Sequence, residues 1–161
     1  METCCVTPIG IIHSPFSEPT GMPVQPSGAS DIVGYIDILP QYLEGLSDIT
    51  GFERIILLYF FHRCDGFSLQ VTPYFDTTKR GLFATRAPRR PNWIGFSVVR
   101  LIDVKETRLF IRDVDILDGP PLLDMKPYVP KFDAYPDSKA GWLEDKQQNV
   151  PEISADERFH S

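Results

Sequence analysis

Fifteen prolines are spread through this 161-residue chain, and with 11 glycines they interrupt almost every stretch long enough for a helix of several turns. A bundle of long helices is therefore excluded. Between the breakers lie short segments with the apolar content or two-residue alternation of strands. Residues 6–12 form an apolar stretch that stops at Pro15, and residues 31–39 alternate up to Pro40. Residues 54–61 are nearly all Ile, Leu, Tyr and Phe, which fits a central strand covered on both faces and also fits two helical turns. Residues 68–71 and 81–85 are shorter strand candidates. Residues 95–104 place Phe96, Val98, Arg100, Ile102 and Val104 on one face and Ser97, Val99, Leu101 and Asp103 on the other. Residues 108–116 follow after three polar residues and suggest the second arm of a hairpin.

This pattern predicts a mainly β protein, a compact barrel of about six to seven strands with short helical turns, one of them at 41–46, and no Rossmann sheet. The barrel is expected over residues 1–132. Residues 133–161 read as a partly flexible, acidic C-terminal arm of the same domain. The Pro- and Gly-rich segment 16–30 reads as an ordered irregular loop long enough to carry function.

The formal charge of −6 argues against a protein that holds nucleic acid by charge alone, but it conceals a gradient. Residues 1–53 hold seven acids and no Lys or Arg, residues 54–132 hold 13 basic and 8 acidic residues, and residues 133–161 hold three basic and seven acidic. Lys79, Arg80, Arg86, Arg89, Arg90 and Arg100 fall in a stretch, 79–100, without an acid. An anionic partner is expected there.

Several functions are disfavoured by what the chain lacks. No two glycines stand two apart, so there is no dinucleotide fingerprint. His13, His62 and His160 are dispersed and no Cys-x-x-Cys occurs, so no metal site is expected. The longest apolar run has seven residues against roughly 20 for a membrane span. Three cysteines, two of them adjacent, and an N-terminus without basic residues suit a reducing cytoplasm.

The segment Arg86-Ala87-Pro88-Arg89-Arg90-Pro91-Asn92-Trp93-Ile94-Gly95-Phe96-Ser97 holds three arginines on a backbone stiffened by two prolines, an arrangement suited to carboxylates or phosphates. It resembles the Arg-x-Pro-x-Arg-Pro-Asn-Pro-Ile-Gly-x-Ser signature of the TrmO/TsaA-like family. The resemblance extends in order through Ile9 to Pro15, Pro23-Val24-Gln25-Pro26, Gly51-Phe52 to His62, and Asp118 to Tyr128. It implies a homodimeric β-barrel that binds S-adenosyl-L-methionine and methylates N6 of threonylcarbamoyladenosine at position 37 of tRNA.

Carried over by position, the cofactor contacts implied are Gln25, Pro26, Ser27, His62, Arg63, Arg86, Phe96, Asp118, Gly119, Pro120 and Pro121. In this reading Arg86 meets the cofactor's carboxylate, Asp118 or its backbone the ribose, and Phe96 an apolar wall. Asn92 and His62 are the candidates to orient N6 and take its proton. Arg89, Arg90 and Trp93, on the 79–100 loop, are assigned to the RNA backbone, the substrate's carboxylate or a stacked base. The chain departs from the family at Trp93, where the signature has proline, at Pro120, where it has threonine, and at Val24, where an arginine is common. Two alternatives remain at this stage: a non-enzymatic barrel that binds the cofactor or RNA, and a methyltransferase acting on another small molecule or RNA.

Overall fold

The computed structural model describes residues 3–25, 28–74, 76–144 and 155–156. Six strands, β1 (Gly10–His13), β2 (Val33–Ile38), β3 (Arg54–Phe60), β6 (Ile94–Lys105), β7 (Arg108–Arg112) and β8 (Pro121–Pro127), close a ring in the order β1-β2-β7-β6-β3-β8. Every neighbouring pair is antiparallel. A separate hairpin, β4 (Gln70–Val71) with β5 (Arg80–Gly81), projects from the ring over its own small cluster of Val71, Leu82 and Ala87. The expected mainly β, non-Rossmann barrel is the fold observed.

The alternation read from the sequence decides which side chains fill the interior. Ile12, Ile36, Ile55, Leu57, Val99, Leu109, Ile111 and Leu122 are fully buried, and Val114 and Ile116 extend the same core beyond β7. Residues 54–61 are strand rather than helix, and β3 pairs with β6 on one side and β8 on the other. β6 keeps its predicted phase as far as Leu101, where a register shift before Asp103 bends the strand and moves Val104 to the inner side. A two-residue turn with Glu106 in the left-handed region (φ 53°) joins β6 to β7.

Three expectations shift. β1 begins at Gly10 rather than at residue 6. Residues 82–84 form a 3-10 turn instead of a strand, so the strand expected at 81–85 reduces to Arg80–Gly81. β8 was not expected, because its two terminal prolines and an Asp and a Lys disguise it, yet Leu122 is fully buried and β8 bonds to both β1 and β3. Residues 40–46 form a 3-10 turn, close to the helical turn expected at 41–46.

Beyond β8 a single helical turn, α1 (Pro130–Asp133), leads into a segment that returns to the barrel. The Trp142 indole donates to the carbonyl of Ala84 at 2.8 Å, and Ala155 exchanges backbone hydrogen bonds with Gly21 and Met22 at 2.8 and 2.7 Å. No helix among the described residues is long and apolar enough to cross a membrane.

Truncating Leu122 to Ala should remove about 2–5 kcal/mol of stability, because the side chain is fully buried on the strand that closes the ring. Urea unfolding of the variant beside the native protein measures it. A loss under 1 kcal/mol would contradict the closing role of β8.

Candidate functional site

The apolar filling of the barrel stops at one end. Along β3 the inward residues run Ile55, Leu57, Tyr59, and opposite them on β6 lie Val99, Ser97 and Gly95. Gly95 is required there, because a Cβ at this position would fall 2.3 Å from the Tyr59 ring. Above Tyr59 and Ser97 opens a cavity of about 530 Å³, within the range of small-molecule sites. Its floor includes Asp115, which follows β7 between two buried neighbours, Val114 and Ile116.

These floor groups are linked. Asp115 Oδ1 lies 2.7 Å from Ser97 Oγ, which lies 3.3 Å from the Tyr59 hydroxyl. Burial pushes the Asp115 carboxyl up to about 6, opposed by the Ser97 hydrogen bond and by the positive charge of Arg86. Burial also raises Tyr59, reinforced by the Asp115 charge, so its phenol stays protonated.

The wall is the 16–25 segment, held by two arginines from other parts of the chain. Arg63 donates to the Ser17 carbonyl at 2.8 Å and approaches Glu18 at 3.5 Å. Arg86 donates to Gln25 Oε1 at 3.0 Å while its guanidinium lies 5.6 Å from the Phe96 ring centroid. Arg86 has no ion-paired carboxylate among the described residues. His62 stands where β3 runs out; burial and the charge of Arg63 lower its pKa, with Asp118 opposing, so the imidazole is neutral near pH 7.

Of the residues singled out in the sequence, Gln25, His62, Arg63, Arg86, Phe96, Pro120 and Arg90 line this cavity. Pro26 and Ser27 lie outside the described residues. Gly119, in the left-handed region (φ 89°), sits beside His62, with the imidazole Nε2 3.7 Å from where a Cβ would be. Pro121 begins β8. The Asp118 carboxylate turns to the end of β1, accepting from the Ser14 N–H at 3.0 Å and lying 3.4 Å from His13 Nδ1. Asn92 is exposed and outside the cavity lining.

The basic block is less free in space than in sequence. Arg80 is paired with Asp76 at 2.6 Å, Arg89 with Asp65 at 3.3 Å and Arg100 with Asp113 at 3.8 Å. Arg90 donates back to the carbonyls of Thr85 and Ala87, bracing its own loop. Trp93 is half-buried, its indole donating to the Gly66 carbonyl at 2.8 Å, so exposed aromatic surface nearby belongs to Phe83 and Phe67 instead. Asp115 was not singled out in the sequence. Its one signal was an acid between two β-branched residues in a strand-like run.

A closed β-barrel with an end cavity that brings together an arginine, a histidine, an aromatic ring and a desolvated carboxylate defines a binding barrel for a small polar ligand. Comparison with known proteins places it further. The family model of the tRNA-methyltransferase O N-terminal domain matches residues 11–134, and the chain belongs to that family. A probable S-adenosyl-L-methionine-binding protein of Pyrococcus abyssi is 54% identical over 157 residues, 98% of this chain and 85% of that one. The human tRNA (adenine(37)-N6)-methyltransferase is 31% identical over 134 residues, 79% of this chain and 31% of its own. A crystal structure of TrmO from Pseudomonas aeruginosa superposes with a TM-score of 0.74 at 39% identity, covering 88% of this chain and 63% of that one. The chain thus spans under two thirds of the TrmO structure and under one third of the human protein.

Asp115 also yields a stability prediction. A carboxyl raised from 3.8 to about 6 in the folded state favours folding in its neutral form. That contribution is fully present below about pH 4 and is lost as pH rises through about 6. Asp115→Asn, which is neutral throughout, should therefore be more stable than the native protein at pH 8, by at most about 3 kcal/mol. The advantage should vanish by pH 4. Denaturant melts at the two pH values test it, and a variant less stable at pH 8 contradicts the desolvation.

Proposed function

We propose that the chain is an S-adenosyl-L-methionine-dependent methyltransferase acting on N6 of adenosine 37 in tRNA, in its threonylcarbamoylated form. The observation that carries this reading is the end cavity. It has the size for a nucleoside-bearing cofactor and gathers Gln25, His62, Arg63, Arg86, Phe96 and Pro120 from separated segments. The donor set fits the cofactor's chemistry: an arginine without an ion pair for its carboxylate, carbonyl-bearing walls and an aromatic ring for its uncharged parts. Family membership and the names of the relatives support the same reading.

When bound, S-adenosyl-L-methionine supplies an electrophilic methyl group on a sulfonium. The protein's part is to bind, orient and exclude water, so that most of the rate enhancement comes from positioning. Arg86, aligned by Gln25 and Phe96, holds the cofactor's carboxylate. Transfer to N6 would break the S–CH3 bond, leave S-adenosylhomocysteine and release the N6 proton, and His62 is assigned as that proton's acceptor because its imidazole is neutral and it lines the cavity. Asn92, exposed on the loop that carries Arg86, is assigned to the incoming nucleoside rather than to the proton. Arg89 and Lys79 are assigned to the RNA backbone, with Arg90 holding the shape of the loop between them and the cavity.

Two further readings accompany this one. The protein is cytoplasmic, where its substrate is found. It is also a homodimer, supported by Ile94 and Phe96, cavity-lining apolar side chains of β6 that remain 44% and 45% exposed. Light scattering should then report twice the 18.3 kDa chain mass, and a monomer at micromolar concentration would reject that part.

Incubation with S-adenosyl-L-methionine and threonylcarbamoylated tRNA, followed by mass spectrometry of nucleosides, should show the N6-methylated product. Tight cofactor binding with no methylated nucleoside from any tRNA would leave a binding protein and reject the enzyme. His62→Ala should lower kcat by about 10²–10⁴-fold, a larger factor than any loss of cofactor affinity. Native kcat should fall on the acid side, below pH 6.5, as the imidazole takes up a proton. Arg86→Ala should weaken cofactor binding, whereas Arg89→Ala should leave it intact and raise KM for RNA. Equal cofactor affinity in these two arginine variants would refute that division.

A further inference from the structure

The cavity holds two opposite charges that do not neutralise each other. Among the described residues Arg86 has no ion-paired carboxylate, and Asp115 has no ion-paired cation. They are near enough for the charge of Arg86 to act on Asp115, yet no ion pair closes between them. Asp115 accepts hydrogen bonds from the Ser97 hydroxyl and from its own backbone, which still leaves carboxylate lone pairs for a donor in the cavity. Arg86 is likewise held on one side by Gln25 and faced by the Phe96 ring, with guanidinium donors remaining.

A largely desolvated carboxylate with no ion-paired cation is costly, and a ligand that brings a cation to it offsets that cost. The ligand complementary to a separated guanidinium and carboxylate is a zwitterion. We propose that Asp115 and Arg86 together clamp the α-amino-acid end of the cofactor, Asp115 accepting from the α-ammonium group and Arg86 donating to the α-carboxylate. This rests on the reading of the cofactor as S-adenosyl-L-methionine and adds to it a contact that fixes which way round the molecule lies. The alternatives fit less well. A ribose diol would need the carboxylate but no cation nearby. The sulfonium has no N–H or O–H to donate, so it would leave the remaining lone pairs of Asp115 without a donor. Adenine brings no charge to either group.

Isothermal titration of the native protein and Asp115→Asn with three ligands tests the clamp. S-adenosylhomocysteine keeps the amino-acid end and lacks the sulfonium charge, whereas 5′-methylthioadenosine lacks the amino-acid end. The variant should bind S-adenosyl-L-methionine and S-adenosylhomocysteine at least about tenfold more weakly, the loss expected for one charged hydrogen bond. Its affinity for 5′-methylthioadenosine should change less than about twofold, since that ligand makes no such bond. Unchanged affinity for all three overturns the clamp. So does loss confined to S-adenosyl-L-methionine, which would assign the carboxylate to the sulfonium, and so does equal loss of all three, which would make Asp115 a wall. Failure of the native protein to bind any of the three would instead withdraw the cofactor reading itself.

A measurement on the native protein keeps the proposal testable if Asp115→Asn does not fold. The charged or titratable groups facing Asp115 are Arg86, from the loop after β5, and Tyr59, from β3. Carbon-13 titration of the Asp115 carboxyl should show it held ionised to lower pH by saturating S-adenosylhomocysteine and unaffected by 5′-methylthioadenosine. The same titration curve with both ligands overturns the clamp.

Discussion

The pairing of β8 with both β1 and β3 is the constraint on which the rest of the structure depends. Without it, β1 and β3 would each present an open edge, and the sheet would be a five-stranded ribbon with nothing to enclose. With it, the segment between β7 and β8 is pinned at both ends. Val114 and Ile116 are drawn into the core, and Asp115 between them has no choice but to face the cavity end. The carbonyl of Pro120 accepts from the N–H of Ile12 at 3.1 Å, and the N–H of Gly119 donates to the Ile12 carbonyl at 2.9 Å, so the turn that carries Asp118 to Pro120 is sewn to β1. Closure of the barrel and construction of the site are the same event.

Closure also explains the electrostatic character of the site. A barrel of six strands is filled by its own side chains, and space for a ligand exists only where that filling is interrupted. Here the interruption is made by Gly95, Ser97 and Asp115 at one end, with Gly95 opposite Tyr59 and Ser97 opposite Leu57 on β3. A desolvated carboxyl raised to about 6 destabilises the empty barrel at neutral pH. Stability is being given up at a place where a ligand could return it, which is a general pattern of binding sites.

Much of this was legible in the sequence, and what was not has physical reasons. β6 and β7 alternate cleanly because each has one face in the core, and the run 55–60 is apolar throughout because β3 is flanked by neighbours and half-covered on its outer face. β8 was hidden because proline at a strand end costs nothing when its missing N–H is not part of the ladder, whereas proline in a sequence reads as a breaker. Asp115 was passed over because an acid in an alternating run ordinarily faces solvent. The charge count along the chain overstates the freedom of the basic block. Asp76, Asp65 and Asp113 lie outside or beyond the acid-free stretch and return in space to pair with Arg80, Arg89 and Arg100. Segment charge registers neighbours in sequence, and ion pairs are made by neighbours in space.

Trp93 sets the path of the loop that leads from Arg86 into β6. Its φ of 46° and its N–H, which donates to the Arg90 carbonyl at 3.4 Å, are both unavailable to the proline that the resembling signature carries at this position. The side chain adds two tethers of its own, the indole hydrogen bond to Gly66 and an edge-on contact with Phe60 at 5.7 Å between ring centroids. The loop from Arg86 to Trp93 therefore takes its path here from tryptophan contacts rather than from a fixed proline ring. The next residue, Ile94, begins β6, and from there the barrel's register positions Gly95 and Ser97 whatever the loop does. A substitution at 93 can thus reshape the rim that meets an incoming substrate while Tyr59, Ser97 and Asp115 keep their places. The barrel floor is thus fixed by strand register, whereas the loop that carries Arg86 is fixed by side-chain tethers.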